Sequence, residues 1–230
     1  DDEWAEEQIK LLGELKFEQE YGGDFLSTSN TLIAGKDLEL LKWQKPKLIV
    51  NGLNIYDEPK KDDIYFITVD QAENIGLDYT ALSVFHITKD PEKPYSQVAT
   101  YRSNTIATLE MPSVIQNIAQ HYNNAFVLIE VNNGDKVPHI LINDLDYENV
   151  ITTESRKRAG LVPTLGVTSK THALGFKMSR KSKRDGLSVL KTLVGDQKLR
   201  IPDFDTIQEL TTFKNTGKAL PSKNDDMAIT

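Results

Sequence analysis

The chain contains no cysteine. Disulfides, thiolate zinc sites and thiol nucleophiles are therefore excluded, and the composition accords with a reducing compartment. No apolar run approaches the roughly 20 residues needed to span a bilayer. The first residues are acidic rather than a basic, apolar leader, so no membrane contact is expected. Histidine is scarce: His86, His121, His139 and His172 show no His-x-x-x-His spacing and read as structural or exposed residues. Three glycine signatures are also missing. They are the phosphate-binding Gly-x-x-x-x-Gly-Lys-Ser/Thr, the Gly-x-Ser-x-Gly nucleophile elbow and a Gly-x-Gly-x-x-Gly turn after a strand.

What is present describes a globular protein with uneven charge. The 230 residues are 39% hydrophobic and 27% charged, enough for one large domain or one domain with a lead-in segment. The net charge of -7 hides an asymmetry: between Ser155 and Arg200 there are 12 Lys/Arg against 2 Asp/Glu. A basic stretch beside an acidic remainder suits a polyanion-binding face next to a metal-binding region.

The central stretch is Asp63-Ile64-Tyr65-Phe66-Ile67-Thr68-Val69-Asp70. Its β-branched and aromatic run predicts a strand buried on both faces, ending on a carboxylate. A Gly-containing turn through Asp78 leads to a second strand over Tyr79–Ile87, and Tyr95–Arg102 reads as a third. A helix is expected from about Leu109 to Tyr122, ended by Asn123-Asn124. Ala125–Ile129 is a second apolar strand, also ending on an acid, Glu130. A helix then fits Asp135–Leu145. Ser155–Arg184 reads as a long basic loop with one short strand. It is followed by a helix over Leu187–Val194, a strand at Leu199–Ile201 and a helix over Ile207–Phe213. Before the main domain, Glu3–Tyr21 suits a helix, and Phe25–Lys60 a connector with short elements. The boundary is placed near Lys60, giving a lead-in over 1–60 and a domain over 61–230. The order of elements predicts an α/β fold with one mixed sheet.

Two strands that each end on a carboxylate, with the pair Asp225-Asp226 near a later helix start, are what a two-metal hydrolase needs. Mg²⁺ or Mn²⁺ prefers oxygen ligands, and two ions about 4 Å apart can act together on a phosphodiester. Neighbouring strands lie about 4.8 Å apart, close enough for their end carboxylates to converge. Each acid also has an ordinary structural reading. An Asp after a strand forms turns or caps helices, Asp225-Asp226 before Met227 would serve as an N-cap, and Asp78 fits a turn.

Several runs resemble the nuclease domain of tailed-phage large terminase subunits. They are Ile67–Asp70 with Gly76–Leu82, Tyr101–Ile106, Val127–Asn132, Asp144–Glu148 and Asn224–Asp226. Lys16–Tyr21 with Phe25 resembles the end of that family's ATPase portion. The resemblance implies an RNase H-like mixed sheet flanked by helices. It also implies a metal-dependent endonuclease that cuts concatemeric double-stranded DNA during packaging, by two-metal phosphodiester hydrolysis. On that basis the catalytic acids are Asp70, Glu130 and Asp226, with Asp225 and Asp78 as further metal ligands and Mg²⁺ or Mn²⁺, two ions, as cofactor. Asn224 stands where many relatives have His. The missing phosphate loop and the abrupt C-terminal run lead to the expectation of a fragment without the ATPase domain. The resemblance further implies the portal and small terminase subunit as partners, at the procapsid vertex in the host cytoplasm.

The basic residues Arg156, Lys157, Arg158, Lys177, Arg180, Lys181, Lys183 and Arg184 are the candidate DNA contacts, with Lys183 and Arg184 foremost. Few aromatics interleave them, which favours duplex backbone contact over base stacking. A solvated loop is the plain alternative. Two other functions fit the same residues: a DNA-binding assembly module with little nuclease activity, or a related RNase H-like resolvase.

Overall fold

A computed structural model describes residues 31–72, 78–132, 134–156, 160–165 and 172–213, with 154–156, 160–165 and 172 described as backbone alone. The helix expected over Glu3–Tyr21 lies outside these residues.

The main layer is a seven-stranded mixed sheet. Its strands are β1 (Leu48–Val50), β2 (Leu53–Ile55), β3 (Ile64–Asp70), β4 (Thr80–Ile87), β5 (Tyr95–Ser103), β6 (Phe126–Ile129) and β10 (Leu199–Arg200). The spatial order is β1-β2-β5-β4-β3-β6, and β10 pairs with β5. β3, β4 and β5 form an antiparallel meander, whereas β6 runs parallel to β3. A parallel neighbour requires a crossover, and α2 (Met111–His121) supplies it between β5 and β6. Met111, Ile115, Ile118 and Ala119 form its buried stripe. Asn123 and Asn124, both at positive φ (57° and 56°), end it. The amide of Asn123 also ties that corner to the carbonyls of Lys60 and Asp63.

α2 and α3 (Lys136–Asn143) cover one face of the sheet. There Tyr65, Ile67, Val69, Leu82, Val84, Val127 and Ile129 pack against Ile115, Val137 and Leu141. A second core unites α1 (Gly35–Leu38), α4 (Arg180–Gly195), α5 (Phe204–Thr212) and Leu32, Ile33, Leu199, Ile201 and Phe213, with Phe85 packed against it. The expected mixed sheet flanked by helices is thus observed. Residues 48–55, inside the expected lead-in, supply β1 and β2, so the sheet continues across the Lys60 position.

Three local expectations are corrected. β3 is not buried on both faces: Tyr65, Ile67 and Val69 are buried, whereas Phe66, Thr68 and Asp70 are half-exposed. Helices seal one face, while the other carries polar side chains toward the strand end. The stretch read as a loop with one short strand forms a second antiparallel sheet of order β8-β7-β9, from β7 (Ile151–Arg156), β8 (Gly160–Leu165) and β9 (His172–Leu174). Its pairing comes from backbone ladders, which need no apolar alternation. α4 begins at Arg180 rather than Leu187 because Ser179 caps it. Its Oγ accepts from the Ser182 backbone N–H (3.1 Å), and the Ser182 Oγ accepts from the Ser179 N–H (2.8 Å).

Candidate metal centre

The parallel register of β3 and β6 pairs Val69 with Ile129, so Asp70 and Glu130 follow side by side at the strand ends. The Glu130 N–H donates to the Val69 carbonyl at 2.9 Å, which fixes that alignment. Val69 and Ile129 point into the core; by strand alternation, both carboxylates point to the opposite face. Both are half-exposed, reachable from solvent yet held by backbone on either side.

The surroundings of the two acids are built to hold them. The Gln71 amide donates to the Glu130 carbonyl at 2.8 Å, linking the strand ends beyond the ladder. The Asn132 amide donates to the Glu130 carboxylate and orients it. Across the β3–β4 mouth, the Ala72 N–H donates to the Thr80 hydroxyl at 3.1 Å, and Thr80 is buried. On the far side of Glu130, Phe176 forms a parallel bridge, exchanging hydrogen bonds with the Ile129 carbonyl (2.8 Å) and the Val131 N–H (3.0 Å). Gly175 makes this approach possible. Its φ is +68°, and a Cβ there would meet Val131 Cγ1 at 2.5 Å and the Ile129 carbonyl at 2.7 Å.

That bridge brings the basic segment to the acids. Lys177 follows Phe176 directly, and α4 starts three residues later with Arg180, Lys181, Lys183 and Arg184 in its first turns and no acid in the first. Cations at this end oppose the helix dipole, so the helix begins as a concentrated positive surface. Lys177, Arg180, Lys181 and Arg184 are exposed. Lys183 is half-buried with its ammonium 5.7 Å from the Phe213 ring centroid, and Arg184 Nε lies 3.8 Å from Asp185 Oδ1. Arg156 ends β7, while Lys157 and Arg158 lie outside the described residues.

Of the remaining acids, Asp78 is exposed in the bend leading into β4, and Asp225 and Asp226 lie outside the described residues. Among the described residues no group of three or more His, Asp or Glu converges. The described structure therefore brings together Asp70 and Glu130. Two of the histidines sit elsewhere: His86 pairs with Asp63 (2.9 Å), before the other end of β3, and His121 with Glu58 (3.2 Å). Sequence reasoning had assigned no role to Gln71, Thr80, Asn132, Arg102 or Glu209. The last two form an ion pair at 3.7 Å on the same sheet face as Asp70. No helix among the described residues is long and apolar enough to cross a membrane.

Residues 67–228 match the model of a family described as Terminase RNaseH-like domain. The large terminase subunit of Thermus virus P23-45 is 28% identical over 131 residues, 56% of this chain and 24% of that protein. The chain thus spans well under half the length of that relative. Among solved structures, the large terminase nuclease of thermophilic phage G20c with bound magnesium aligns at TM-score 0.64 and 16% identity, over 87% of this chain and 93% of that one. The large terminase nuclease domain of Thermus phage P74-26 aligns at 0.58 and 18%, over 87% and 91%. At these identities the structural likeness is one of fold. Because the family match takes in the meander, both strand-end carboxylates and the basic helix, this chain belongs to the terminase RNase H-like domain family.

Proposed function

We propose that this chain is the metal-dependent endonuclease domain of a phage terminase large subunit, cleaving concatemeric double-stranded DNA during genome packaging. The observation that carries the reading is the placement of Asp70 and Glu130 side by side on one sheet face, with the basic start of α4 reached through the Phe176 bridge.

The donor set fits a hard divalent cation: two carboxylates, half-exposed, on a rigid pair of strands. The related G20c nuclease has been crystallised with magnesium, cobalt and zinc, which supports a divalent site here. Asp70 and Glu130 would hold Mg²⁺ or Mn²⁺, two ions in this proposal, with Asp226, Asp225 and Asp78 as further ligands. When bound, such cations supply charge neutralisation and Lewis acidity at a phosphodiester. The chain's own contribution is placement. The β3–β6 ladder sets the spacing of the carboxylates, Asn132 orients Glu130, and Gln71 keeps the strand ends in register. Lys177, Arg180, Lys181, Lys183 and Arg184, with Arg156, Lys157 and Arg158, would neutralise backbone phosphates without reading sequence. Assembly with an ATPase portion, a small subunit and the portal, at the packaging vertex in the host cytoplasm, belongs to the same proposal. Its support is the kinship with a terminase large subunit.

Plasmid cleavage in Mg²⁺, Mn²⁺ or EDTA, alongside Asp70→Asn, tests the reading. The expected result is metal-dependent nicking and linearisation, reduced at least about a hundredfold in the variant, the scale on which a group stabilising transition-state charge acts. If wild type and variant are equally inert yet both bind DNA, the chain is a DNA-binding packaging module instead.

A further inference from the structure

Arg102 lies in the same transverse row of the sheet as Asp70. Asp70 pairs with Ala81, and Ala81 with Arg102, so all three side chains project to one face with a single methyl group between the two charges. Two strand spacings separate them, about 10 Å. The Arg102 guanidinium is held at two points: its Cζ sits 4.1 Å from the Tyr79 ring centroid, and its Nη2 is 3.7 Å from Glu209 Oε1. Glu209 projects from α5, and its side chain is only 9% exposed.

Tyr79 is the residue before Thr80, whose hydroxyl accepts the Ala72 N–H across the β3–β4 mouth. A continuous path therefore runs from Glu209 on α5, through Arg102 on β5 and Tyr79 on the β4 arm, to the β3 arm just past Asp70. We propose that Arg102 is a positioning residue for Asp70, clamping the β3–β4 mouth to α5 so that the carboxylate is held in its metal-binding place. This rests on the nuclease reading above. A direct phosphate contact is the rival role, and two features disfavour it. The buried Glu209 carboxylate already balances the charge of Arg102, and the guanidinium plane is occupied by Tyr79. Lysine would not reproduce the clamp, because it has neither the planar fork nor the stacking surface.

The test uses the whole chain and the variants Arg102→Lys, Tyr79→Leu and Glu209→Gln. Three quantities are measured: the Mn²⁺ concentration giving half the maximal rise in melting temperature, the single-turnover cleavage rate, and DNA affinity in EDTA across a salt series. Arg102→Lys and Tyr79→Leu are expected to raise the Mn²⁺ midpoint and lower the cleavage rate roughly tenfold each, the scale for residues that orient metal ligands. DNA affinity and its salt slope should stay as in wild type. Lower melting temperatures with an unchanged Mn²⁺ midpoint and unchanged rate would reduce Arg102 to a structural role and overturn the proposal. So would a salt slope smaller by about one with an unchanged midpoint, which marks a phosphate contact. If wild type shifts with Mn²⁺ but does not cut, the nuclease reading fails and the midpoints alone decide the role of Arg102. If wild type neither shifts nor cuts, both fall. Should Arg102→Lys fail to fold, Tyr79→Leu and Glu209→Gln probe the two ends of the clamp separately.

Discussion

The two faces of β3 are made from the same seven residues and do opposite work. Tyr65, Ile67 and Val69 enter a core with Val84, Val127 and Ile115, where Ile67 is fully buried. Thr68 and Asp70 face the other way, into a polar row shared with Ser83, Thr100 and Arg102. Strand alternation turns successive residues to the core and to the open face, so the acid is held by its neighbours without being buried by them. The difference teaches where substitutions should cost folding and where they should cost function.

The sharpest way to break the comparison is to change one face at a time. Ile67→Ala should destabilise the fold by about 3 kcal/mol, through reduced burial and the cavity left behind. Chemical denaturation would show this, and the Mn²⁺ response of the folded fraction should be unchanged. Asp70→Asn should do the reverse: near-wild-type or higher melting temperature in EDTA, since it relieves carboxylate repulsion, and loss of the Mn²⁺ shift. If both variants lose stability equally, the two faces are not functionally separate.

A second test lies under the polar face. Asp203 is buried and accepts from the Tyr56 hydroxyl (2.6 Å), the Thr100 hydroxyl (3.1 Å), and the Thr206 N–H (2.8 Å) and hydroxyl (2.7 Å). Burial first, and then the Asp203 charge, push the Tyr56 phenol well above its ordinary value. It therefore serves as a neutral donor at every working pH. Asp203→Ala removes the cap of α5 and takes the acceptor from three hydroxyls, with an expected loss of about 2 kcal/mol in denaturant melts. Because α5 carries Glu209, a rise in the Mn²⁺ midpoint should accompany it.

Further out, replacing Arg180 and Lys181 together by Gln should leave the melting temperature nearly unchanged. It should flatten the log–log salt dependence of DNA binding by about two, one for each phosphate no longer neutralised. An unchanged slope would return these side chains to the role of a solvated helix start.

The smallest effect is expected at Asp57. Burial works to raise its carboxyl, but Lys47 and Arg200 outweigh that and hold it below the ordinary value. A lowered folded-state pKa contributes stability above the unfolded value, near 3.9, that is lost as pH falls through the folded one. Asp57→Asn should therefore lower the melting temperature slightly at neutral pH. The gap to wild type should close in acid, below about pH 4. A gap that widened in acid would contradict the sign.

The described part of the candidate site was legible in the sequence. Asp70 and Glu130 stand out because each ends an apolar run, and burial of such runs leaves few alternatives to a strand. Asn123-Asn124 marked the end of α2 because asparagine tolerates the left-handed backbone found there. The β7–β9 sheet was not legible, since its short strands, Ile-Thr-Thr-Glu-Ser-Arg, Gly-Leu-Val-Pro-Thr-Leu and His-Ala-Leu, are joined by backbone bonds and carry no sustained hydrophobic period. The first two turns of α4 were missed for a related reason: Arg180–Gly186 has no apolar stripe, and the Ser179 cap is visible only as geometry.

By itself, then, the sequence determined the three successive strands, the helix that follows them, the two strand-end acids and the clustering of positive charge, because all of these follow from local composition and periodicity. Tertiary structure alone decided that β6 runs beside β3, that Arg102 shares the row of Asp70, and that Phe176 carries the basic helix to Glu130. Strand order and register depend on which surfaces bury each other, a property of the packed chain that no stretch of it contains on its own.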